Sequence, residues 1–178
     1  MYSKWRSFNG FLALVFLALA MGCHTAEPKP NSDRRQRKEL STLRFCLEMA
    51  PDGTDRVKII SVIRSTPIPI GVATTPVLNE NDIESAMVVE AQGVFSIRVK
   101  LNARGARILE MVSGSYPGQR LAILSQFGPE RWLAAPKMNH LISDGIIEFT
   151  PDASREEADR IVRGLNNLVA KVKKLNRF

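Results

Sequence analysis

Few side chains in this 178-residue chain are of a type and spacing that could do chemistry. His140 and Asp144 stand four residues apart in "NHLISDG" and are the nearest thing to an acid-base pair. A lone domain histidine without thiols or carboxylates at ligand spacing does not make a zinc site, and a polar turn explains both residues. Ser113, Ser115 and Ser125 lack the strand-to-helix elbow of a catalytic serine, and "GSYPGQ" lacks the Lys-Ser/Thr ending of a phosphate loop. Asp52 and Asp55 flank a glycine in "PDGTD", where a turn accounts for both and no full calcium loop follows. Cys46 alternates with apolar residues in "LRFCLEM", Leu43, Phe45, Leu47 and Met49 falling on one face and Arg44, Cys46 and Glu48 on the other, as in a half-covered strand. These residues predict a non-enzyme with no metal and no cofactor, an envelope enzyme using His140, Asp144 or Cys46 being the alternative.

The other cysteine raises a different chemistry. In "FLALVFLALAMGCHTAEPKP" an apolar run stops at Gly22 and Cys23, after a short basic start at Lys4 and Arg6. That is the layout of a secretory signal, too short to span a bilayer. Its ending resembles the lipobox of bacterial lipoproteins, with Ala20 where leucine is usual and Leu19 one place further out. The resemblance implies that residues 1–22 are a lipoprotein signal peptide and that Cys23 is the lipidation site, palmitate among its acyl chains; two or more such chains anchor stably. His24, not being Asp, favours the outer membrane. Residues 23–41 then read as the lipidated cysteine and a flexible basic tether, with Arg34, Arg35, Arg37 and Lys38 placed either to meet anionic lipid or simply to be solvated.

Formal charge is +7 over the whole chain and stays positive once Lys4 and Arg6 are removed. Nucleic acid is not the expected partner of an anchored, secreted chain with 7% aromatic residues. Better contact candidates lie on one loop tip, Phe127, Arg131 and Trp132, since aromatics and arginine dominate protein interfaces. Trp132 has a plainer reading as a plug for one end of the core.

The elements that would position these residues form one domain over 42–178. Strands are predicted at 42–49 and 57–64, joined as a hairpin through "PDGTD". Pro67, Pro69 and Pro76 predict an extended edge connection rather than a central strand. "LNENDIESA" predicts a capped helical turn before an apolar run, and "VFSIRVKL" a half-buried strand with Phe95, Ile97, Val99 and Leu101 on one face. Asn102 is placed to cap a helix over 103–112 that buries Ala106, Leu109 and Val112 and stops at Gly114. "QRLAILSQF", "RWLAA" and "IIEF" are further strands. Ser154 and Glu157 fit a capping box for a last helix with Ala158, Ile161, Val162, Leu165, Leu168, Val169, Val172 and Leu175 on its apolar stripe. The class is α+β: a largely antiparallel sheet with two main helices packed on one face, in a split βαβ-like order.

The order of motifs across 77–170 is similar to the head subdomain in the first periplasmic domain of SecD, a subunit of the bacterial Sec protein translocase. The matching positions are Leu78, Asp82 and Ala86; Leu101, Gly105 and Ala106; Gly118, Leu121, Ala122 and Ile123; Ala135, Pro136, Ile142 and Gly145; and Glu156, Glu157 and Ala158. The longer tip "SQFGPERW" departs from that family. So does the lack of a helical membrane bundle after the domain, so the expectation is of no coupling to a proton gradient. The resemblance implies a SecD head-like fold and an envelope location facing the periplasm. It also implies a binding or accessory role linked to protein export, with an envelope protein or unfolded chain as partner; a purely structural lipoprotein is a further alternative.

Overall fold

A computed structural model describes residues 39–63 and 65–175. The chain order is β1 (Thr42–Leu47), β2 (Val57–Val62), β3 (Ile68–Ala73), a 3-10 turn (Glu80–Asp82), β4 (Ile83–Ala91), β5 (Val94–Leu101), α1 (Ala103–Ser115), β6 (Leu121–Gln126), β7 (Glu130–Ala134), β8 (Ile146–Phe149) and α2 (Arg155–Leu175). Every strand pairing is antiparallel. The class is α+β, as the pattern of elements implies. Strands fall into three groups, β1-β6-β7, β2-β3 and β4-β5-β8.

Local chemistry explains the elements best in the second half. β4 and β5 join through Gln92 and Gly93, both at positive φ, the two-residue turn whose twist suits a hairpin. Ile97, Val99 and Leu101 are buried while Arg98 and Lys100 are exposed, so the alternation along β5 reads directly as two faces. Asn102 Oδ1 accepts from the N–H groups of Arg104 and Gly105, 3.0 Å each, and starts α1. α1 runs through Gly114 to Ser115, past the stop expected at that glycine, and Ala106 is only half-buried. At α2 the Ser154 hydroxyl accepts from the Glu157 N–H at 3.1 Å, and Ala158, Ile161, Val162, Leu165 and Val169 are buried. Leu175 ends the stripe exposed.

One large core gathers residues from β1, β4, β5, β6, β7, β8 and both helices, with Phe45, Ile97, Leu109, Ile123, Leu133 and Leu165 fully enclosed. A smaller core lies on the opposite face of β1-β6-β7, where Cys46 and Ala122 meet Ile60, Val62, Ile70 and Val72 from the β2-β3 ribbon. Two covered faces explain why β6 is apolar from Leu121 to Leu124 and buried through Ser125.

The first half departs from the sequence expectation. β1 does not form a hairpin with β2; it pairs with β6 along its whole length, from Thr42↔Gln126 to Leu47↔Leu121. The Asp-Gly turn does form, Asp52 Oδ1 accepting from the Thr54 N–H at 3.0 Å and its hydroxyl at 2.7 Å. It turns β2 toward β3 instead, because both edges of β1 are taken: Phe45 N–H donates to Leu78 O at 2.9 Å and Met49 N–H to Gly71 O at 2.9 Å. The proline-bearing stretch is a strand, not a connection. Pro69 pairs with Ser61 and lies two residues before Gly71, whose carbonyl faces β1, so the proline nitrogen also points away from β2 and its missing N–H costs that ribbon no bond. Residues 39–41, expected in the tether, make contacts with the domain: Glu39 Oε1 accepts from Arg160 at 2.8 Å, Glu39 O accepts from Asn167 at 3.1 Å, and Ser41 is buried; the rest of that segment lies outside the described residues.

Candidate functional site

The three contact candidates on the β6-β7 tip each have a partner inside the chain. Trp132 is half-buried against the smaller core, with the Lys58 ammonium 5.1 Å from its ring centroid. Phe127 packs on the large core, with the Arg160 guanidinium 4.9 Å from its ring. Arg131 donates to Asp152 O at 3.0 Å and pairs with Glu157 of α2. Trp132 and Phe127 serve opposite cores, so the tip does not assemble the three into one patch.

Of the candidate reactive groups, His140 and Asp144 line one groove, and Cys46 lies elsewhere, in the smaller core. Cys46 is 3% exposed, fully buried rather than half-covered, because the β2-β3 ribbon closes the face that alternation along β1 leaves open. Burial pushes its thiol up, against the opposing pull of Lys58 and Arg44, which favours the protonated form. His140 is exposed, and Asp144 uses Oδ1 to accept from the Ile146 N–H at 3.0 Å, a turn contact. The Ser113 hydroxyl accepts from the Ile142 N–H at 2.9 Å, and Ser125 is buried without a hydrogen-bond partner for its Oγ. No group of three His, Cys, Asp or Glu at metal-binding distance occurs among the described residues. Among them, too, no helix is long and apolar enough to cross a membrane. Cys23, His24 and the basic cluster at 34–38 lie outside the described residues.

Sequence reasoning missed the feature that distinguishes this surface, the unequal finish of the β4-β5-β8 sheet. At the β4 edge, Asn166 of α2 acts as a one-residue strand: its Oδ1 accepts from the Ala86 N–H at 2.9 Å and its Nδ2 donates to Ala86 O at 2.8 Å. Lys173 Nζ adds a contact to Glu84 O at 3.3 Å. The β8 edge has no such cover. Leu101 N–H donates to Gly145 O at 2.9 Å, and the register continues through Val99↔Ile147 and Ile97↔Phe149. Alternate residues therefore face β5, and Ile146 and Glu148 turn their backbone groups outward. Asp144 satisfies the Ile146 N–H, whereas Ile146 C=O and the Glu148 N–H and C=O have no protein partner among the described residues.

Along that edge runs a groove of about 510 Å³, lined by Leu121 and Ile147 and, from the 136–144 segment, by Met138, His140, Ile142 and Asp144 among others. A second depression of about 450 Å³ lies past Pro136, between Ile63, Ala134, Phe149 and Pro151. The sequence signal for the covered edge was faint: Asn166 and Asn167 sit beside the apolar stripe of α2, where a helix facing solvent would carry charge.

Comparison with solved structures places this architecture. A membrane component SecDF that enhances protein export matches 80% of this chain and 70% of its own, at 18% identity and a TM-score of 0.56. SecDF in a super-membrane-facing form matches 79% of this chain at 19% identity, with a TM-score of 0.55; only 21% of that longer chain is covered. The fold is SecDF-like. No protein-family model and no curated protein matches the sequence.

Within a SecDF-like fold, most of the shared motif positions are explained by packing. Leu78, Ala86, Leu101, Leu121, Ala122, Ile123 and Ala158 are buried. Asp82 is 1% exposed and its Oδ2 accepts from the Asn79 N–H at 3.0 Å, closing the capping box of the 3-10 turn. A Cβ at Gly105 would stand 2.6 Å from Asp82 O, so this first turn of α1 admits only glycine without displacing the 3-10 turn. These residues hold the fold.

Proposed function

We propose that this chain is a lipid-anchored, non-catalytic accessory module of the bacterial cell envelope that binds a protein partner and is linked to protein export. Cys23 carries the acyl chains, residues 24–41 connect the anchor to the domain, and the SecDF-like domain makes the contact. The observation that carries this reading is the fold itself, matched over 80% of the chain by a membrane component that enhances protein export. The burial of Cys46, with its thiol pushed up, and the exposed position of His140 support the non-catalytic reading over the enzyme alternative. His24 after the anchor favours the outer membrane, with the domain facing the periplasm.

The test is palmitate labelling and membrane fractionation of wild type and Cys23→Ser, together with the fraction of unprocessed secretory precursor in cells lacking the protein. Label and membrane association vanish in the variant, and precursor accumulates in the deletion. An unlabelled, soluble wild type refutes the anchor. Normal processing in cells lacking a labelled protein refutes the export link and leaves the structural-lipoprotein reading.

A further inference from the structure

We propose that the open edge of β8 and the groove beside it form a strand-addition site for an extended polypeptide segment in which aliphatic and basic residues alternate. This rests on the reading of the chain as a protein-binding module and gives that module its site and its ligand class. The first support is position: Ile146 C=O and both backbone groups of Glu148 open onto the groove, while at the other edge of the same sheet Asn166 takes both backbone groups of Ala86 and Val88 and Glu90 turn theirs outward. A peptide laid beside β8 finds Glu148 N–H, Glu148 C=O and Ile146 C=O facing it, the set one antiparallel pair and its neighbour require.

Side-chain chemistry follows from the pleat. The residue of the added strand that shares a face with Ile147 enters the groove lined by Leu121, Met138 and Ile142, which calls for an aliphatic side chain. The residue opposite Glu148 lies on the solvent face. There the carboxylate already accepts from Ser96 Oγ at 2.6 Å and Arg98 Nε at 2.9 Å, and a Lys or Arg on the incoming strand extends the row to base, acid, base. Lys137 and His140 line the groove as well. A second copy of this chain does not fit, because its own β8 is hemmed by its own residues 136–144 and two walled edges cannot meet; a single extended segment can.

The test is titration of the full-length protein in detergent with a short amidated peptide of alternating Val and Lys, read by fluorescence anisotropy and by amide hydrogen exchange. The peptide binds and slows exchange at the Glu148 amide. Glu148→Pro removes only an outward N–H from the backbone bonding, so the sheet survives, and it weakens binding about tenfold, as expected for loss of one or two hydrogen bonds. Glu148→Gln retains exchange protection but lowers the preference for the Val-Lys peptide over a Val-Glu counterpart. If Glu148→Pro fails to fold, exchange protection in wild type decides the matter alone. No binding, binding without protection at Glu148, or equal binding of the two peptides overturns the proposal. Any of these, with precursor still accumulating in cells lacking the protein, leaves the export role standing and moves its contact elsewhere.

Discussion

At the β4 edge of the central sheet, a helix lends one carboxamide that satisfies both an N–H and a C=O of Ala86; at the β8 edge, three backbone groups meet only solvent and a groove. The two edges belong to one sheet and share β5 as neighbour, so backbone geometry is not what separates them. The difference lies in what the chain places beside each. α2 packs its apolar stripe against the core next to β4 and brings Asn166 to Ala86 as a consequence. Beside β8 the chain runs irregularly through residues 136–144 and stands off by the width of the groove. Unpaired edges invite pairing with another chain, and proteins usually cover them. The β4 edge is covered at Ala86, with Val88 and Glu90 turned outward, whereas the outward groups of β8 open onto a groove.

This contrast can be broken most severely at its support. Leu165 is fully buried under α2, and Leu165→Ala lowers stability by about 3 kcal/mol, within the range for a leucine truncated in a packed core; urea denaturation measures it. Asn166→Ala strips both partners from Ala86 and costs about 2 kcal/mol by the same measurement. It also sharpens the comparison, because the opened β4 edge then exchanges its Ala86 amide faster while the β8 amides are unchanged. Glu148→Pro, which touches the open edge, costs only about 1 kcal/mol, since the lost pair with Arg98 is exposed and the lost N–H faces outward.

The smallest effect is a pH dependence at Glu148. The Ser96 hydroxyl first, and Arg98 second, hold its carboxyl below the usual glutamate value. A carboxyl depressed in the folded state contributes stability above its unfolded pKa of about 4.3, and that contribution is lost as pH falls through the lower folded value. The urea midpoint of wild type therefore declines more steeply than that of Glu148→Gln as pH drops below about 4.

Much of the second half was legible because its determinants are local. Asn102 caps α1, Gln92 and Gly93 turn β4 into β5, and the stripe on α2 repeats with the period of a helix, each within a few residues of the structure it specifies. The first half was misread where local signals were right and partners were distant. Asp52 and Thr54 make their turn, but β1 finds its neighbour in β6, some seventy-five residues away in the chain, and β3 is a strand despite Pro69. The burial of Cys46 has the same origin, since the ribbon that covers it is recruited from beyond the turn. The contact candidates Phe127, Arg131 and Trp132 were chosen for residue type, and type does not reveal that each already has an intramolecular partner.

By itself the sequence determined which segments are helices, most of the strands, which face of each is apolar, and hence an α+β class. Those properties follow from the periodicity of side chains along a strand or helix and from caps and turns a few residues long. Only the tertiary structure decided that β1 has two buried faces, that Asn166 covers the β4 edge at Ala86 and that β8 opens onto a groove. Backbone groups are the same at every residue, so which of them remain without a partner depends on what distant segments pack beside them.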